Sequence, residues 1–454
     1  MCAKENHQRT IYSNKDLGRL ILPLVMEQLL AILVGMLDTV MISGVGEAAV
    51  SGVSLVDNIN ILVINVFAAL ATGGAVVAGH ALGQKNWEQA GRFAWQMVLF
   101  LLYSSVTMTV LLLGAHRVIL RAIFGQVEEA VMTSAVTYLI ITGLSICPLA
   151  LYNGCAALFR AMGDSKTTMY ISLLMNLINL VGNAVLIFLF QMGVAGAAIA
   201  TLIARTVAAL FIFRLMFDGK REIHFQRRLP LRMDFSQVKK ILYIGIPNGL
   251  ENSLFQLGKI LVLSLVSAFG TSAIAANAVC GTITNFNILP GMAINMALLS
   301  VASYCIGAGD FGQTRYYTRK LMWLTWLCTS IISLIMIAGV PLFLKIYHLT
   351  PETTTLALQV IRYHAAMCMV AWVSSFTLPN TLRAAGDVMW TMTIAIVSMW
   401  VFRIGTAYFF SRVFHLGLIG IWIAMTIDWM FRAVCYEIRY RSGKWEKAMG
   451  RQGG

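Results

Sequence analysis

The sequence predicts an all-α integral membrane protein in which twelve transmembrane helices form two six-helix bundles, related by a pseudo-two-fold axis along the membrane normal. Of its 454 residues, 58% are hydrophobic and only 12% are charged, whereas soluble domains average about 25% charged residues. Apolar stretches long enough to cross a bilayer occur twelve times. A pattern of prolines, glycines and charged residues also recurs about 224 residues apart. Together these observations indicate a duplicated membrane bundle.

The twelve apolar stretches follow one another with short polar gaps between them. A helix of about 20 apolar residues spans the hydrocarbon core, because its backbone polar groups are satisfied internally. Several stretches are longer than this, which predicts tilted helices or extensions beyond the bilayer. The predicted helices are residues 17–43, 48–82, 88–114, 122–150, 166–190, 193–217, 237–268, 272–307, 313–344, 352–377, 388–411 and 417–440.

The internal repeat is clearest in two short motifs. A Pro-x-x-x-Glu pattern at residues 23–27 returns at residues 247–251, and the pentapeptide RAMGD at residues 160–164 returns as RAAGD at residues 383–387. Six crossings in each half bring the chain back to its starting side, so the two repeats run in the same direction. Parallel repeats of this kind are typical of secondary transporters, whose substrate path lies between the halves.

The basic residues set the predicted orientation. Residues 218–240 carry seven Lys and Arg side chains, and short loops rich in these residues stay in the cytoplasm. Both termini are then cytoplasmic, and the predicted domains are an N-lobe at 1–217, a basic linker at 218–240 and a C-lobe at 241–454. We attribute the net charge of +14 to this orientation signal rather than to nucleic-acid binding. The expected surroundings are a lipid bilayer, and the expected state is a monomer.

Several other classes of protein find no support in the sequence. The eight cysteines are scattered without a C-x-x-C pair, the seven histidines form no zinc motif, and no phosphate-binding loop of the Walker type occurs. Paired acids or a Ser/His set, as an enzyme would need, are also lacking. Residues 1–15 are polar and do not resemble a removable signal peptide. We therefore expect no enzyme and no cofactor, and uphill transport would need an ion gradient.

Four segments carry a resemblance to a known family. They read LDTVMISGVGEAAVSGVSL in the first helix and its exit, LGQKNWEQAGR after the second, LFRAMGDSKTT before the fifth and TLRAAGDVMWTM in the second half. The chain resembles the multidrug and toxic compound extrusion (MATE) family over roughly residues 17–440. The resemblance implies an exporter in the cell membrane that expels small organic substrates in exchange for inward Na⁺ or H⁺.

The first half contains a candidate site for the coupling ion. Asp38, Asn179, Asn183 and Thr201 lie about 8 to 16 Å from the outer ends of their predicted helices, at about 1.5 Å per residue. An acid inside the membrane is functional by default, and these oxygen donors suit Na⁺ or support a proton on Asp38. Alternatively, the asparagines only join helices through hydrogen bonds.

The resemblance implies the same four residues as the cation site of the first lobe. Some family members carry a second Asp at the position of Asn183, so the choice between Na⁺ and H⁺ stays open.

The second half has a different set of charges within its helices. Arg403 and Asp428 lie at matching predicted depths, and we expect a buried ion pair since either charge alone would be expensive. Lys259 then remains as an unpaired cation facing a water-filled cavity. The alternatives are that the pair takes part in transport or that it only stabilises the lobe.

Three more acids are candidates for the substrate path. Glu27 and Glu251 each follow a proline by four residues, near a predicted kink, and either line the cytoplasmic mouth or hold neighbouring helices. Asp57 is expected to face the external vestibule. The sequence thus predicts an efflux antiporter that works by rocking of the two lobes; the alternative is a flippase for a lipid-linked saccharide.

Overall fold

The computed structural model describes residues 11–125, 128–226, 231–345, 347 and 349–448. Every regular element in these ranges is a helix. The α-helices are α1 (Asn14–Ser43), α2 (Glu47–Gly83), α3 (Trp87–Phe124), α4 (Glu129–Leu144), α5 (Ile146–Ala161), α6 (Ser165–Asn183), α7 (Gly193–Leu215), α8 (Phe235–Ser267), α9 (Thr271–Gly307), α10 (Phe311–Lys345), α11 (Pro351–Met367), α12 (Val373–Phe376), α13 (Leu378–Ala384), α14 (Val388–Val397), α15 (Thr406–Tyr408) and α16 (Gly417–Arg441).

Short stretches of other helix types continue several of these α-helices. Four π-helical segments occupy Ala184–Leu189, Cys368–Trp372, Ser398–Gly405 and Phe409–Val413, and a 3₁₀ turn occupies Lys444–Lys447. A π segment widens the helix locally and is frequent at functional sites. The segments therefore direct attention to the side chains beside them.

The prediction of twelve membrane-spanning helices is confirmed. In the described part of the chain, eleven helical stretches are long and apolar enough to cross a membrane, and a twelfth is formed by α4 and α5, which meet at an angle of 47°. The bend lies at Ser145, which separates the two helices.

Some predicted boundaries are wrong. The third helix was expected to end at residue 114, but α3 continues to Phe124, and the fourth begins at Glu129 rather than at residue 122. Residues 115–124 contain neither proline nor glycine, so nothing interrupts the backbone hydrogen bonds where the apolar stretch gives way to charged residues. The fourth and tenth spans likewise extend to Ala161 and Ala384, beyond the expected residues 150 and 377.

The internal repeat is visible in the backbone as well as in the sequence. Lys85 and Gly309, one in each half, both adopt positive φ, at 58° and 74°. Gln191 and His415 both have a φ of 53°. Residues with a Cβ atom rarely adopt this conformation, so its return about 224 residues later shows that the turns are duplicated.

The chain divides into two compact units. One comprises Met26–Ser253, and the other comprises the described residues of Met1–Val25 and Leu254–Gly454. We call them the 26–253 unit and the 254–454 unit. The lobe boundaries expected from the sequence, at residues 217 and 241, stay a prediction.

Close backbone packing joins helices within the 26–253 unit. A Cβ atom added to Gly73 of α2 would lie 2.5 Å from the carbonyl oxygen of Ile241 and 2.8 Å from the backbone nitrogen of Gly245, both on α8. Small residues let transmembrane helices approach each other in this way. The first part of α8 is therefore held against α2.

The beginning of α1 packs in the 254–454 unit. Leu17, Leu20 and Leu24 are buried in one hydrophobic cluster with residues of α9, α10 and α13. Ahead of α1, the backbone nitrogen of Tyr12 donates to the hydroxyl of Tyr317 at 2.7 Å, and that hydroxyl donates to the carbonyl oxygen of Tyr12 at 2.9 Å. The 254–454 unit thus needs the beginning of the chain for its core.

The repeated R-A-x-G-D motif ends in an ion pair in each half. Asp164 accepts from the backbone nitrogen of Thr167 at 3.1 Å, which caps α6, and lies 2.7 Å from Arg221 Nη1. Asp387 accepts from Arg439 at 2.6 and 2.9 Å. In the second half the pair ties the start of the fifth span to the last turn of α16. In the first half it ties that start to Arg221, six residues beyond the end of α7.

Candidate functional site

Three helices of the 26–253 unit bring the four residues of the expected ion site together. Asp38 comes from α1, Asn179 and Asn183 from α6, and Thr201 from α7. Asn183 Nδ2 donates to Asp38 Oδ1 at 2.8 Å. Asn179 and Asn183 lie on one face of α6 because they are one helical turn apart, and Thr201 donates to the carbonyl oxygen of Ala197 at 3.0 Å.

The orientation of the Asn179 amide completes the network. With its nitrogen facing Asp38, that nitrogen donates to both carboxylate oxygens at 3.0 Å, and its oxygen lies 3.1 Å from Thr201 Oγ1. The single hydroxyl proton of Thr201 is shared between this oxygen and the carbonyl oxygen of Ala197. In the opposite orientation the nitrogen donates to Thr201 instead, and Asp38 loses a donor. The first orientation satisfies more groups, so the carboxylate of Asp38 is held by two amide nitrogens.

One oxygen of this site remains without a hydrogen-bond partner. Asn183 is 2% exposed, and its Oδ1 atom is buried and unpaired. An unpaired buried acceptor costs free energy, and it lies next to a carboxylate and further neutral oxygens. A π-helical segment, Ala184–Leu189, begins directly after Asn183. Carboxylate, amide and hydroxyl oxygens are the ligand types that small hard cations prefer.

A buried cluster of charges lies in the 254–454 unit. Asp428 is fully buried and accepts from Arg432 Nε at 2.9 Å and from the hydroxyl of Ser398. Arg403 Nη1 lies 3.5 Å from Asp428 Oδ2. Neither of these two atoms makes a hydrogen bond. The expected ion pair between Arg403 and Asp428 is therefore present but loose, and Arg432 is the closer partner of Asp428.

A cavity opens next to this cluster, within the same unit. Its volume is about 470 Å³, and both Arg403 and Lys259 line it. Lys259 has no acid within ion-pair distance in the described part of the chain. Several aromatic rings complete the walls, namely Phe255, Trp372, Phe376, Trp422 and Trp429.

Comparison with known proteins identifies the family. The profile of the MatE family matches residues 23–185 and again residues 247–409, which together exceed half of the chain. The chain belongs to the MatE family. The two matches begin at the two Pro-x-x-x-Glu motifs, so the family unit is the internal repeat itself.

Individual MatE relatives span almost the whole chain. The probable multidrug resistance protein NorM of Thermotoga maritima is 28% identical, covering 95% of this chain and 93% of that protein. The uncharacterized transporter YisQ of Bacillus subtilis is 27% identical, covering 93% of each. The outward-facing structure of a multidrug resistance MATE family transporter superposes with a TM-score of 0.89 at 20% identity, over 95% of this chain and 96% of that one. The protein is thus a multi-pass membrane transporter of the MATE type.

Two of the remaining acids expected from the sequence lie in the same unit as the Asp38 site. Glu27 is 8% exposed, accepts from Thr168 Oγ1 at 3.1 Å and lies 3.6 Å from Arg160. Glu251 is 7% exposed. Burial and the Arg160 partner favour the interpretation of Glu27 as a residue that holds neighbouring helices.

Asp57 lies close to the Asp38 site without joining its hydrogen bonds. Asn60 and Tyr138 are its hydrogen-bond partners, and the charge of Arg205 faces it. Arg205 also donates to Ser145 Oγ at 2.8 Å, where α4 and α5 meet. Asp57 therefore belongs to a second polar network of the 26–253 unit.

Reasoning from the sequence did not single out Arg432 or the individual aromatic residues that form the walls of the cavity. Arg432 follows Asp428 by four residues on α16, and that spacing places two side chains on one helix face. The spacing was a usable signal. The tryptophans carried no such signal, because aromatic residues are common throughout membrane helices.

Proposed function

We propose that this MatE protein is a secondary active multidrug efflux antiporter. It exports amphipathic organic compounds in exchange for Na⁺ or H⁺, by rocker-type alternating access of the N-lobe and the C-lobe. It resides in the cell membrane with both termini in the cytoplasm. Family membership supports the transport class, and the network around Asp38 supports coupling to a cation. A lipid-linked saccharide flippase is not favoured by the comparisons.

The network around Asp38 carries the proposal for ion coupling. In the arrangement described above, two amide nitrogens face Asp38 and compensate its charge. A bound cation needs oxygen ligands in the positions that the two amide nitrogens occupy. The side-chain amides of Asn179 and Asn183 would therefore rotate by about 180° and turn their oxygens toward the cation. The unpaired Oδ1 of Asn183 is one such oxygen. A proton on Asp38 would instead turn the carboxyl into a donor.

Both events neutralise the same carboxylate, so a cation and a proton compete for it. An exporter gains from this arrangement, because the site releases its ion on the side where the ion is scarce. Intramembrane acids in transporters are generally used in this way. The proposal therefore assigns the coupling step to Asp38 and the neutral ligands to Asn179, Asn183 and Thr201.

The test is efflux of a fluorescent dye such as ethidium from proteoliposomes under an imposed gradient of Na⁺ alone or of H⁺ alone. The unaltered protein should transport under at least one gradient. Asp38→Asn should retain normal folding and lose gradient-driven transport, because the titratable, cation-binding charge is gone at nearly constant shape. Asp218→Asn is the matched control, since Asp218 is exposed and lies outside the spans. Full gradient-driven transport by Asp38→Asn would refute the assignment.

A further inference from the structure

The cavity of the 254–454 unit has an uneven distribution of charge. Lys259 and Arg403 line it, whereas the residues that the structure places on its walls include no Asp or Glu. The remaining polar side chains of the walls are three asparagines, one threonine and one histidine. Asp428 lies behind Arg403 and does not reach the wall. A ligand inside therefore meets two cations and no carboxylate.

Asp428, the acid of this cluster, is already compensated. Asp428 makes its close contact with Arg432 Nε, at 2.9 Å, and that nitrogen donates a hydrogen bond to it. Arg403 approaches the same carboxylate only to 3.5 Å. With one acid and three cations, Lys259, Arg403 and Arg432, the cluster keeps an excess of two positive charges. Buried charge of this kind is stabilised by an anion.

Two buried donors at the wall also lack partners. Arg403 is 8% exposed and its Nη1 atom makes no hydrogen bond; Trp429 is 4% exposed and its Nε1 atom makes none either. Neither group can accept a hydrogen bond, so only an acceptor can satisfy them. Unpaired buried donors cost free energy. Both residues line the same cavity as Lys259, but Arg403 Nη1 faces Asp428 Oδ2 at 3.5 Å, so the preference for a negatively charged ligand rests on the two cations of the wall.

The aromatic rings argue against a cationic ligand at this place. Phe255 already receives three cations over its ring, with Lys259 Nζ at 5.7 Å and the guanidinium carbons of Arg403 and Arg432 at 5.3 and 5.4 Å from its centroid. A cationic ligand would be repelled by these three charges, so the Phe255 ring does not attract it. Trp372 and Phe376 are stacked on each other and offer a flat apolar surface instead.

We propose that this cavity binds an amphipathic organic anion, in which a carboxylate, sulfonate or phosphate group is attached to a flat apolar body. The acidic group lies beside Lys259 and Arg403, and the body lies against Trp372 and neighbouring rings. A volume of about 470 Å³ is in the range of pockets for drug-sized molecules. The inference rests on the proposed export function and specifies one class of substrate for it.

The test uses two probes that share one flat body, 1-pyrenebutyrate and 1-pyrenemethylammonium. Binding to the purified full-length protein in a neutral detergent is measured by equilibrium dialysis. The anion should bind at least tenfold more tightly than the cation. Lys259→Gln should weaken the binding of the anion about tenfold, and Lys259→Arg should restore it. Lys345→Gln is the matched control, since Lys345 is exposed at the end of α10 and does not line the cavity.

Three outcomes would overturn the inference. The first is equal binding of both probes, and the second is an unchanged affinity in a folded Lys259→Gln protein. The third is displacement of pyrenebutyrate by phosphatidylglycerol but not by phosphatidylcholine, which would make the ligand a lipid headgroup instead of a soluble substrate.

Failure of the inference is distinguishable from failure of the proposed function. Gradient-driven ethidium efflux without selective binding of the anion would leave the antiporter proposal intact and remove the anion site. Selective binding of the anion should persist in the Asp38→Asn protein, because Asp38 belongs to the other unit. Such binding without efflux of either ethidium or pyrenebutyrate under either gradient would refute the coupled exporter alone.

Discussion

Removal of the charge on Asp428 should destabilise the protein more than removal of either arginine beside it. Asp428 is fully buried and is the one acid within ion-pair distance of both Arg403 and Arg432 in the described chain. Asp428→Asn leaves two guanidinium groups without a counter-charge. Breaking a buried pair in this manner costs about 3–5 kcal/mol. Arg403→Gln should cost much less, because its Nη1 atom makes no hydrogen bond.

The geometry also predicts which arginine is coupled more strongly to Asp428. At an effective dielectric constant of about 20, unit charges attract by about 6 kcal/mol at the 2.9 Å of Arg432 and by about 5 kcal/mol at the 3.5 Å of Arg403. The hydrogen bond that only Arg432 makes adds about 1.5–3 kcal/mol. The coupling of Asp428 to Arg432 should therefore exceed its coupling to Arg403 by about 3 kcal/mol.

Two double-mutant cycles measure this difference. Asp428→Asn is combined with Arg432→Gln in one cycle and with Arg403→Gln in the other, and free energies of unfolding are determined in mixed micelles with increasing dodecyl sulfate. Lys345→Gln serves as the neutral reference for loss of a remote charge. A coupling to Arg403 equal to or larger than that to Arg432 would refute the reasoning from these distances.

Three further predictions concern the 26–253 unit. Asn183→Asp places a second carboxylate beside Asp38 and should change the ion preference or shift the pH optimum of dye efflux, since two adjacent carboxylates do not both ionise without a cation; identical Na⁺ and pH dependence would contradict this. Gly73→Ala should cost about 1–3 kcal/mol of unfolding free energy, because its Cβ would meet backbone atoms of α8, whereas Gly114→Ala, with open space around it, should not destabilise the helix. Burial raises the pKa of Asp164, but hydrogen bonds from Thr167 and Arg221 outweigh it and hold the pKa below the ordinary 3.8. A carboxyl with a depressed pKa stabilises the fold above its unfolded pKa and loses this contribution as the pH falls through its folded value. The cost of Asp164→Asn, up to about 1 kcal/mol at neutral pH, should therefore decrease as the pH falls below the ordinary 3.8 and through the lower folded pKa; an unchanged cost over this range would contradict it.

The acid site was accessible from the sequence because charged and amide side chains are rare within apolar helices. Depth along a helix follows from counting residues, and Asp38, Asn183 and Thr201 were placed at similar depths by that count. Their hydrogen bonds in the structure agree with it. The count gives no direction around the helix axis, however, and pairing between different helices depends on that direction.

The second cluster was harder to predict for this reason. Arg403 lies inside the π-helical segment Ser398–Gly405, where the extra residue per turn shifts the direction of every following side chain. An ordinary helical count therefore gives the depth of Arg403 but not how closely its side chain approaches Asp428. Arg432 needed no such correction, since it lies on the same regular helix as Asp428. The end of α3 at Phe124 was not predicted, because hydropathy shows which residues lie in the membrane and does not show where a helix ends.

The burial of Leu17, Leu20 and Leu24 against α9, α10 and α13 has a consequence for biosynthesis. These leucines leave the ribosome near the start of translation, whereas their packing partners begin near Ala293. At about 5–20 residues per second, the intervening stretch of about 270 residues takes on the order of 15–50 s to synthesise. The nascent α1 must remain in the membrane throughout that interval without its final neighbours, which its apolar surface permits. A protein truncated before α9 would therefore expose these leucines to lipid and to the machinery that removes unassembled membrane segments.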